Sequence, residues 1–435
     1  MEVTRKPHLH QDWIDSHAYG IVKALKKNEF ETYLVGGCVR DLLLGIHPKD
    51  YDIATMANPQ QVKRLIYMSF IIGKRFRLVL VKRDSQQFEV ATFRRETKAE
   101  DFPEGAPMGD NVFGTPEEDA RRRDFTVNAL FYDPIEEKLI DYVNGLPDIK
   151  ACVLRMIGDP DTRLKEDPIR ILRGLRFAHK LGFTIEADLR AAMVRNASEL
   201  VKSVLPRKRE EILKILRLAE PELALLECFD LGILKYVTPT LHQLLENAER
   251  KELFLQHFEA YRTAVDDPSN TAQLFAWLTL SMLQALRLGP SLRETPIEIE
   301  DELMQAFMRE ELGMYKFEQT VLTKAVELLP GLGRTEEFKR RGERRQLAFM
   351  KNEGFKLALR LAEADFLLDR GQIDFWQTAM TKLADELIEA EGEGKPKRRR
   401  RPPRKRRGDQ AQTNGADEAS QSENEKNLDE KTDSI

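Results

Sequence analysis

Asp50 and Asp52 lie two residues apart in Pro48-Lys49-Asp50-Tyr51-Asp52-Ile53, shortly after the pair Gly36-Gly37. On a strand, residues i and i+2 share a face, so both carboxylates would converge. Carboxylates with no His or Cys beside them select hard cations, Mg²⁺ or Mn²⁺. Gly36-Gly37 opens a helical pattern, where bare backbone N–H groups can approach a phosphate. Arg40 can add a charge-assisted contact. Together these are the parts of a metal-assisted nucleotidyl transfer site. Alone, Gly-Gly reads as a tight turn and Asp-x-Asp as a surface loop. Neither G-x-G-x-x-G nor G-x-x-x-x-G-K-[ST] occurs, so a Rossmann or P-loop reading has no support.

The elements that must position these groups follow from periodicity. Glu31–Val35 reads as a strand and Val39–Leu44 as a helix closed by Gly45. Tyr51–Thr55 reads as a strand and Pro59–Tyr67 as a helix after Asn58. Phe76–Lys82 and Gln86–Phe93 read as a hairpin joined at Asp84-Ser85, and Leu139–Val143 as a further strand. From about Glu166 to Glu391 nearly everything has helical period, including Ile169–Leu181, Leu274–Leu286 and Phe355–Leu368. Trp13, Trp277 and Trp376 read as core.

Composition bounds the answer. The 435 residues are 41% hydrophobic and 33% charged, enough apolar material for a sizeable core. No apolar run nears the ~18 residues of a membrane span, and no apolar signal core opens the chain. Cys38, Cys152 and Cys228 form no C-x-x-C pair, which points to a reducing, cytoplasmic setting without zinc. Cys38 has no His beside it and reads as a small filler.

The net charge of −4 is unevenly spread: residues 395–407 carry ten Lys or Arg, and residues 408–435 carry a net of −6. The rest of the chain therefore carries −8. The stretch from about Gly392 has almost no apolar residues and is expected to be disordered. Its basic run, Lys397, Arg398, Arg399, Arg400, Arg401, Arg404, Lys405, Arg406 and Arg407, reads either as a solvated tail or as a grip on a polyanion such as RNA.

Three blocks carry a specific resemblance. Gly36-Gly37-Cys38-Val39-Arg40-Asp41-Leu42-Leu43-Leu44-Gly45 with Asp50-x-Asp52 resembles the opening motif of the class II nucleotidyltransferases. That family comprises the bacterial poly(A) polymerases and the CCA-adding tRNA nucleotidyltransferases. Arg122-Arg123-Asp124-Phe125-Thr126-Val127-Asn128 resembles its R-R-D-F-T-x-N block. Glu166-Asp167-Pro168-Ile169-Arg170-Ile171-Leu172-Arg173-Gly174-Leu175-Arg176-Phe177 resembles its third block. The implied fold is an α/β nucleotidyltransferase palm head, an all-α neck and body, and a disordered C-terminal tail. The boundaries are 1–28 for an N-terminal segment, 29–150 for the head and 151–218 for a neck with the base-reading motif. The RNA-binding body covers 219–391 and the tail 392–435.

The resemblance also implies roles. Asp124 counts with Asp50 and Asp52 as catalytic, and Asp50 and Asp52 hold the metal. Glu89, mid-strand in Phe88-Glu89-Val90, is the second candidate for the third carboxylate. Gly36, Gly37, Arg40 and Arg123 hold the triphosphate, and Asn128 lies on the sugar side. At 100° per residue, Asp167, Arg170 and Arg173 fall within one helical arc. A carboxylate can accept from the adenine amine while a guanidinium donates to ring acceptors, so the family's use of these positions points to Asp167 and Arg170 as base readers. The alternative is an i,i+3 surface ion pair. Arg176 falls on the apolar side and needs an anionic partner, a nucleotide phosphate or a body carboxylate.

Within the family, Ile72-Gly73-Lys74-Arg75-Phe76-Arg77-Leu78, Asp110-Asn111-Val112-Phe113-Gly114 and the Arg/Pro-rich tail favour the polymerase branch. Val79-Leu80-Val81 departs from it, where polymerases usually carry a His. The expectation is template-independent AMP transfer from ATP to single-stranded RNA 3′ ends, with no membrane partner. CCA addition to tRNA is the alternative and an inactive RNA-binding scaffold the third reading. Intact Asp50, Asp52 and Asp124 argue against the last.

Overall fold

The computed structural model describes residues 1–5, 7, 9–73, 78–96, 112–289, 291–292 and 302–392. The tail arginines and lysines of 397–407, and the segments 74–77 and 97–111, lie outside the described residues.

The head is built on eight strands: β1 (Glu2–Arg5), β2 (Thr32–Val35), β3 (Asp52–Thr55), β4 (Ser69–Ile72), β5 (Leu78–Arg83), β6 (Gln86–Thr92), β7 (Leu130–Asp133) and β8 (Lys138–Asp141). They form one sheet in the order β1-β8-β7-β2-β3-β6-β5-β4. Every neighbouring pair is antiparallel except β3 and β6, which run parallel with Asp52 opposite Glu89. Parallel pairing needs a crossover. Helix α3 (Pro59–Leu65) supplies it, started by a reciprocal Asn58–Gln61 cap with Pro59 in the first turn.

Alternation along the strands gives the sheet two faces. Leu34, Ile53, Val79, Val81 and Val90 face a core shared with Ala18, Ile21, Val22 and Leu25 of α1 (Ser16–Lys27). That spacing is one helical stripe, and Asp15 caps it by accepting from the His17 and Ala18 N–H groups at 2.7 and 3.2 Å. On the other face Tyr33, Val35, Ala54, Phe93 and Phe131 make a smaller core with Ala120. The connection from β2 to β3 carries α2 (Gly37–Leu43), and α4 (Pro116–Arg121) leads into the Arg122-Arg123-Asp124 block.

After the head come α5 (Gly145–Ala151), α6 (Pro160–Glu166), α7 (Arg170–Leu181), α8 (Ala187–Arg195) and α9 (Leu205–Leu216). A two-residue parallel ladder joins Val153–Leu154 to Thr184–Ile185 in this region. Met1–Thr381 packs as one compact unit. Trp277 and Trp376 are buried as expected. Trp277 stacks on Phe258 at 4.1 Å, and Trp376 donates its indole N–H to the Leu332 carbonyl at 2.9 Å. Trp13 departs from the expectation: it is half-buried and stacks on His10 at 4.1 Å. Among the described residues, no helix is long and apolar enough to cross a membrane.

Candidate active site

Gly36 stands between β2 and α2 with φ +75° and ψ −130°. A side chain there is strained on two counts, because L-residues avoid that backbone and an added Cβ would lie 3.0 Å from Arg123 Nη1. The turn thereby brings α2, the Arg123 guanidinium and the first residue of β3 together. Tyr51 is buried, while Asp50 and Asp52 on either side of it are exposed. The two carboxylates thus share the solvent side, as the i, i+2 spacing requires.

Burial of its surroundings raises the Asp52 carboxyl pKa, Arg123 opposes the rise and Asp50 adds to it. Glu89 is likewise raised, by burial first and then by the charges of Asp52 and Asp50. Among the described residues, no group of three or more His, Cys, Asp or Glu is arranged to hold a metal ion. A pair of carboxylates still suits Mg²⁺, which commonly binds through one or two carboxylates together with water and substrate phosphate.

Asp124 is engaged elsewhere. Arg173 donates to Oδ2 through Nη2 at 2.6 Å and Nε at 2.9 Å. Oδ1 accepts from the Phe125 N–H at 2.8 Å and from Asn128 Nδ2 at 3.3 Å. Burial alone would raise this carboxyl, but the Arg173 charge and these hydrogen bonds outweigh it and hold the pKa below the ordinary range. Strand register places Glu89 directly beside Asp52, while Asp124 shares the cleft lining with Asp52.

Asp52 borders a cleft of about 620 Å³ lined by Gly36, Gly37, Arg40, Arg94, Arg122, Arg123, Asp124, Asn128, Asp167, Arg170, Arg173, Phe177 and Arg207. Asp119 positions its floor, pairing with Arg122 at 3.0 Å and with Arg123 at 3.0 Å. Arg40 is buried, bonded to Asp41 and to Asn128 Oδ1. The Phe177 ring carries the Arg40, Arg173 and Arg176 guanidiniums at 5.5, 5.7 and 4.1 Å, so one aromatic orders three cations.

The single helical arc expected for Asp167, Arg170 and Arg173 is not the reason they meet. Helix α6 ends at Glu166 and α7 begins at Arg170, because Pro168 has no N–H to continue the ladder. All three still line the cleft. Their pairing also differs from the i,i+3 alternative. Asp167 takes both Nη groups of Arg207 at 2.8 Å, and Arg170 donates to the Arg163 carbonyl at 2.6 Å and to Glu166 at 3.2 Å. Arg176 does not line the cleft. It is buried against Glu211 at 2.7 Å, so of the two partners expected for it the structure supplies a carboxylate, on α9. Cys38 is buried, its thiol pushed up to about 12 chiefly by burial, as a filler would be.

Sequence reasoning missed Arg94, Arg122, Phe177 and Arg207 as cleft residues. Arg122 and Phe177 lie inside the quoted blocks and were within reach. Arg207 lies on α9, far along the chain, and only the tertiary fold brings it to Asp167.

A mixed sheet carries an acid pair beside a glycine turn, and helix α7 closes an arginine-rich cleft over it. Residues 32–155 match the family model of the poly A polymerase head domain. Residues 182–245 match the model described as the probable RNA and SrmB-binding site of polymerase A. Poly(A) polymerase I of Haemophilus influenzae is 45% identical over 210 residues, 46% of this chain and 46% of that protein. A CCA-adding enzyme of Lactobacillus helveticus is 38% identical over 200 residues, 46% of this chain and 49% of that one. The chain thus spans about half the length of the curated relatives it matches. The solved Thermotoga maritima CCA-adding enzyme complexed with tRNA_CCA shares the fold, with a TM-score of 0.57 and 21% identity over 88% of this chain and 87% of that one.

Proposed function

We propose that the protein is a template-independent polynucleotide adenylyltransferase that adds AMP from ATP to RNA 3′ ends. The observation that carries this reading is the single cleft in which the Asp52 carboxylate, the Gly36 turn with Arg123, and the Asp167–Arg170 pair meet. These are a reacting centre, an anion grip and a base reader. The greater identity to a poly(A) polymerase than to a CCA-adding enzyme supports AMP addition over CCA addition.

In this reading Asp50 and Asp52 hold Mg²⁺ or Mn²⁺, which when bound supplies Lewis-acid activation and charge neutralisation at the transferred phosphate. Arg123, fixed by Asp119 and by the Asn128 carbonyl at 3.2 Å, presents positive charge to the triphosphate beside Gly36 and Gly37. Arg40 acts at one remove, holding the Asn128 amide that faces the sugar. Asp124 positions Arg173 on the cleft wall. Asp167, steadied by Arg207, accepts from the adenine amine, and Arg170 donates to a ring nitrogen. The helical body and the basic tail hold RNA without reading its sequence. Such an enzyme would act in RNA 3′ processing and turnover in the cytoplasm.

The test supplies ATP, CTP, GTP and UTP singly to the purified protein with two acceptors, an unstructured RNA and a tRNA lacking its CCA end. Long A tracts on the unstructured RNA are expected. Ordered C, C, A addition to the tRNA that then stops would replace this reading with the CCA-adding one.

A further inference from the structure

The cleft at Asp52 is lined by Gly36, Gly37 and Arg40 after β2 and by Arg94 after β6. From Asp52, strand register runs outward in one row across the sheet: Asp52 opposite Glu89, Glu89 opposite Leu80, Leu80 opposite Phe70. Residues directly opposite one another in a sheet point to the same face, so the row shares the face of the reacting carboxylate. Its far end is unusually apolar for an edge strand. Phe70 is 49% and Ile72 40% exposed on β4. The Lys82 ammonium, two residues on from Leu80 and therefore on the same face, stands 5.9 Å from the Phe70 ring centroid. An exposed aromatic with a cation beside it suits a base stacked on the ring and a phosphate against the ammonium.

From this we infer that Phe70 and Lys82 form a stacking platform for the RNA acceptor upstream of its 3′ end. The inference rests on RNA being the acceptor. An acceptor whose 3′ end lies at Asp52 can run outward along this row over Glu89 and Leu80 to Phe70. Three strand spacings of ~4.8 Å separate Asp52 from Phe70, about 14 Å. At ~3.4 Å per stacked nucleotide that is roughly four nucleotides. The occupant is therefore a base near the fourth position from the 3′ end. Leu80 offers apolar surface along the way, and Ile72 extends it beside Phe70 on β4. Glu89, by its charge, keeps the backbone phosphates of the last nucleotides away from the β6 segment and toward Lys82.

The test measures binding of a 5′-labelled oligo(A) of eight nucleotides by fluorescence anisotropy, alongside a second oligonucleotide with an abasic ribose at the fourth position from the 3′ end. Wild type is expected to bind the abasic strand ~10-fold more weakly, the size of one base–aromatic stack. Phe70→Ala is expected to bind the intact strand ~10-fold more weakly and to lose the abasic penalty, while Phe70→Trp retains both. In turnover, Phe70→Ala should raise KM for the eight-mer and leave kcat and KM for ATP unchanged. Phe70 is half exposed on an edge strand, so the variant should fold. Equal binding by wild type and Phe70→Ala, or an abasic penalty that survives in Phe70→Ala, overturns the platform and leaves the exposed β4 face as a protein contact. The binding arm needs no catalysis. If no AMP is transferred by wild type but the Phe70-dependent stack is present, the proposed reaction fails and the platform stands.

Discussion

Arg173 grips the Asp124 carboxylate with two nitrogens on one oxygen, at 2.6 and 2.9 Å, and in doing so ties the neck helix α7 to the head. The same guanidinium lines the cleft. The join of α7 to the sheet and the shape of the cleft therefore share one interaction, and its loss should be felt in both.

Asp124→Asn should cost about 2 kcal/mol of stability, less than a fully buried pair because Arg173 is 34% exposed. The sign of the pH effect follows from the depressed Asp124 pKa. Its contribution is complete above the ordinary carboxylate value near ~3.9 and is lost as pH falls through the lower folded value. Urea unfolding between pH 6 and pH 3 should show wild type losing its advantage over Asp124→Asn at the acid end. A constant difference across that range would mean that the ion pair contributes nothing.

Gly36→Ala forces a Cβ onto a backbone at φ +75° and toward Arg123. Relief requires the turn or the guanidinium to move, at a cost of order 1–3 kcal/mol. ATP affinity measured by calorimetry should fall ~10-fold or more. Unchanged affinity would place the triphosphate elsewhere.

Arg207→Ala frees Asp167 from its two-point partner without touching Asp50 or Asp52. Competition among the four nucleotides should show ATP preference reduced ~10-fold, with smaller changes in total turnover. Arg170→Ala and Asp167→Ala should act in the same direction. If all three slow every nucleotide equally, the base is chosen by other residues.

How much of this was legible in the chain depends on how far apart the cooperating residues lie. Gly36, Arg40, Asp50 and Asp52 sit on consecutive elements, strand to turn to helix to strand, so local pattern already gathers them. That Glu89 stands beside Asp52 follows only from the parallel β3–β6 pairing, a crossover choice that alternation alone does not dictate. Helical spacing put Asp167, Arg170 and Arg173 together, yet the chain breaks at Pro168 and Asp167 is held by Arg207 of α9. The partners Arg207 for Asp167 and Glu211 for Arg176 come from that same helix. Charge complementarity is visible only after the helices pack, which is why the sequence left the anionic partner of Arg176 open between a phosphate and a body carboxylate.

Truncation after Gly394 removes ten basic residues with no apolar anchor. If about half of them meet phosphates, the slope of log affinity against log salt should drop by roughly 3 to 4, at ~0.7 per phosphate on single strands. Turnover at saturating RNA should hardly change. An unchanged slope would leave the helical body as the sole holder of RNA.

The most direct measurement is the single-turnover rate of AMP transfer from labelled ATP to an unstructured RNA by Asp52→Asn, with ATP binding measured on the same preparation. If Asp52 is the reacting centre, the rate should fall by on the order of 10³-fold or more while the protein stays folded and ATP affinity stays within about threefold. A folded Asp52→Asn protein that transfers AMP at near wild-type rate would contradict the assignment of this cleft as the site of nucleotidyl transfer.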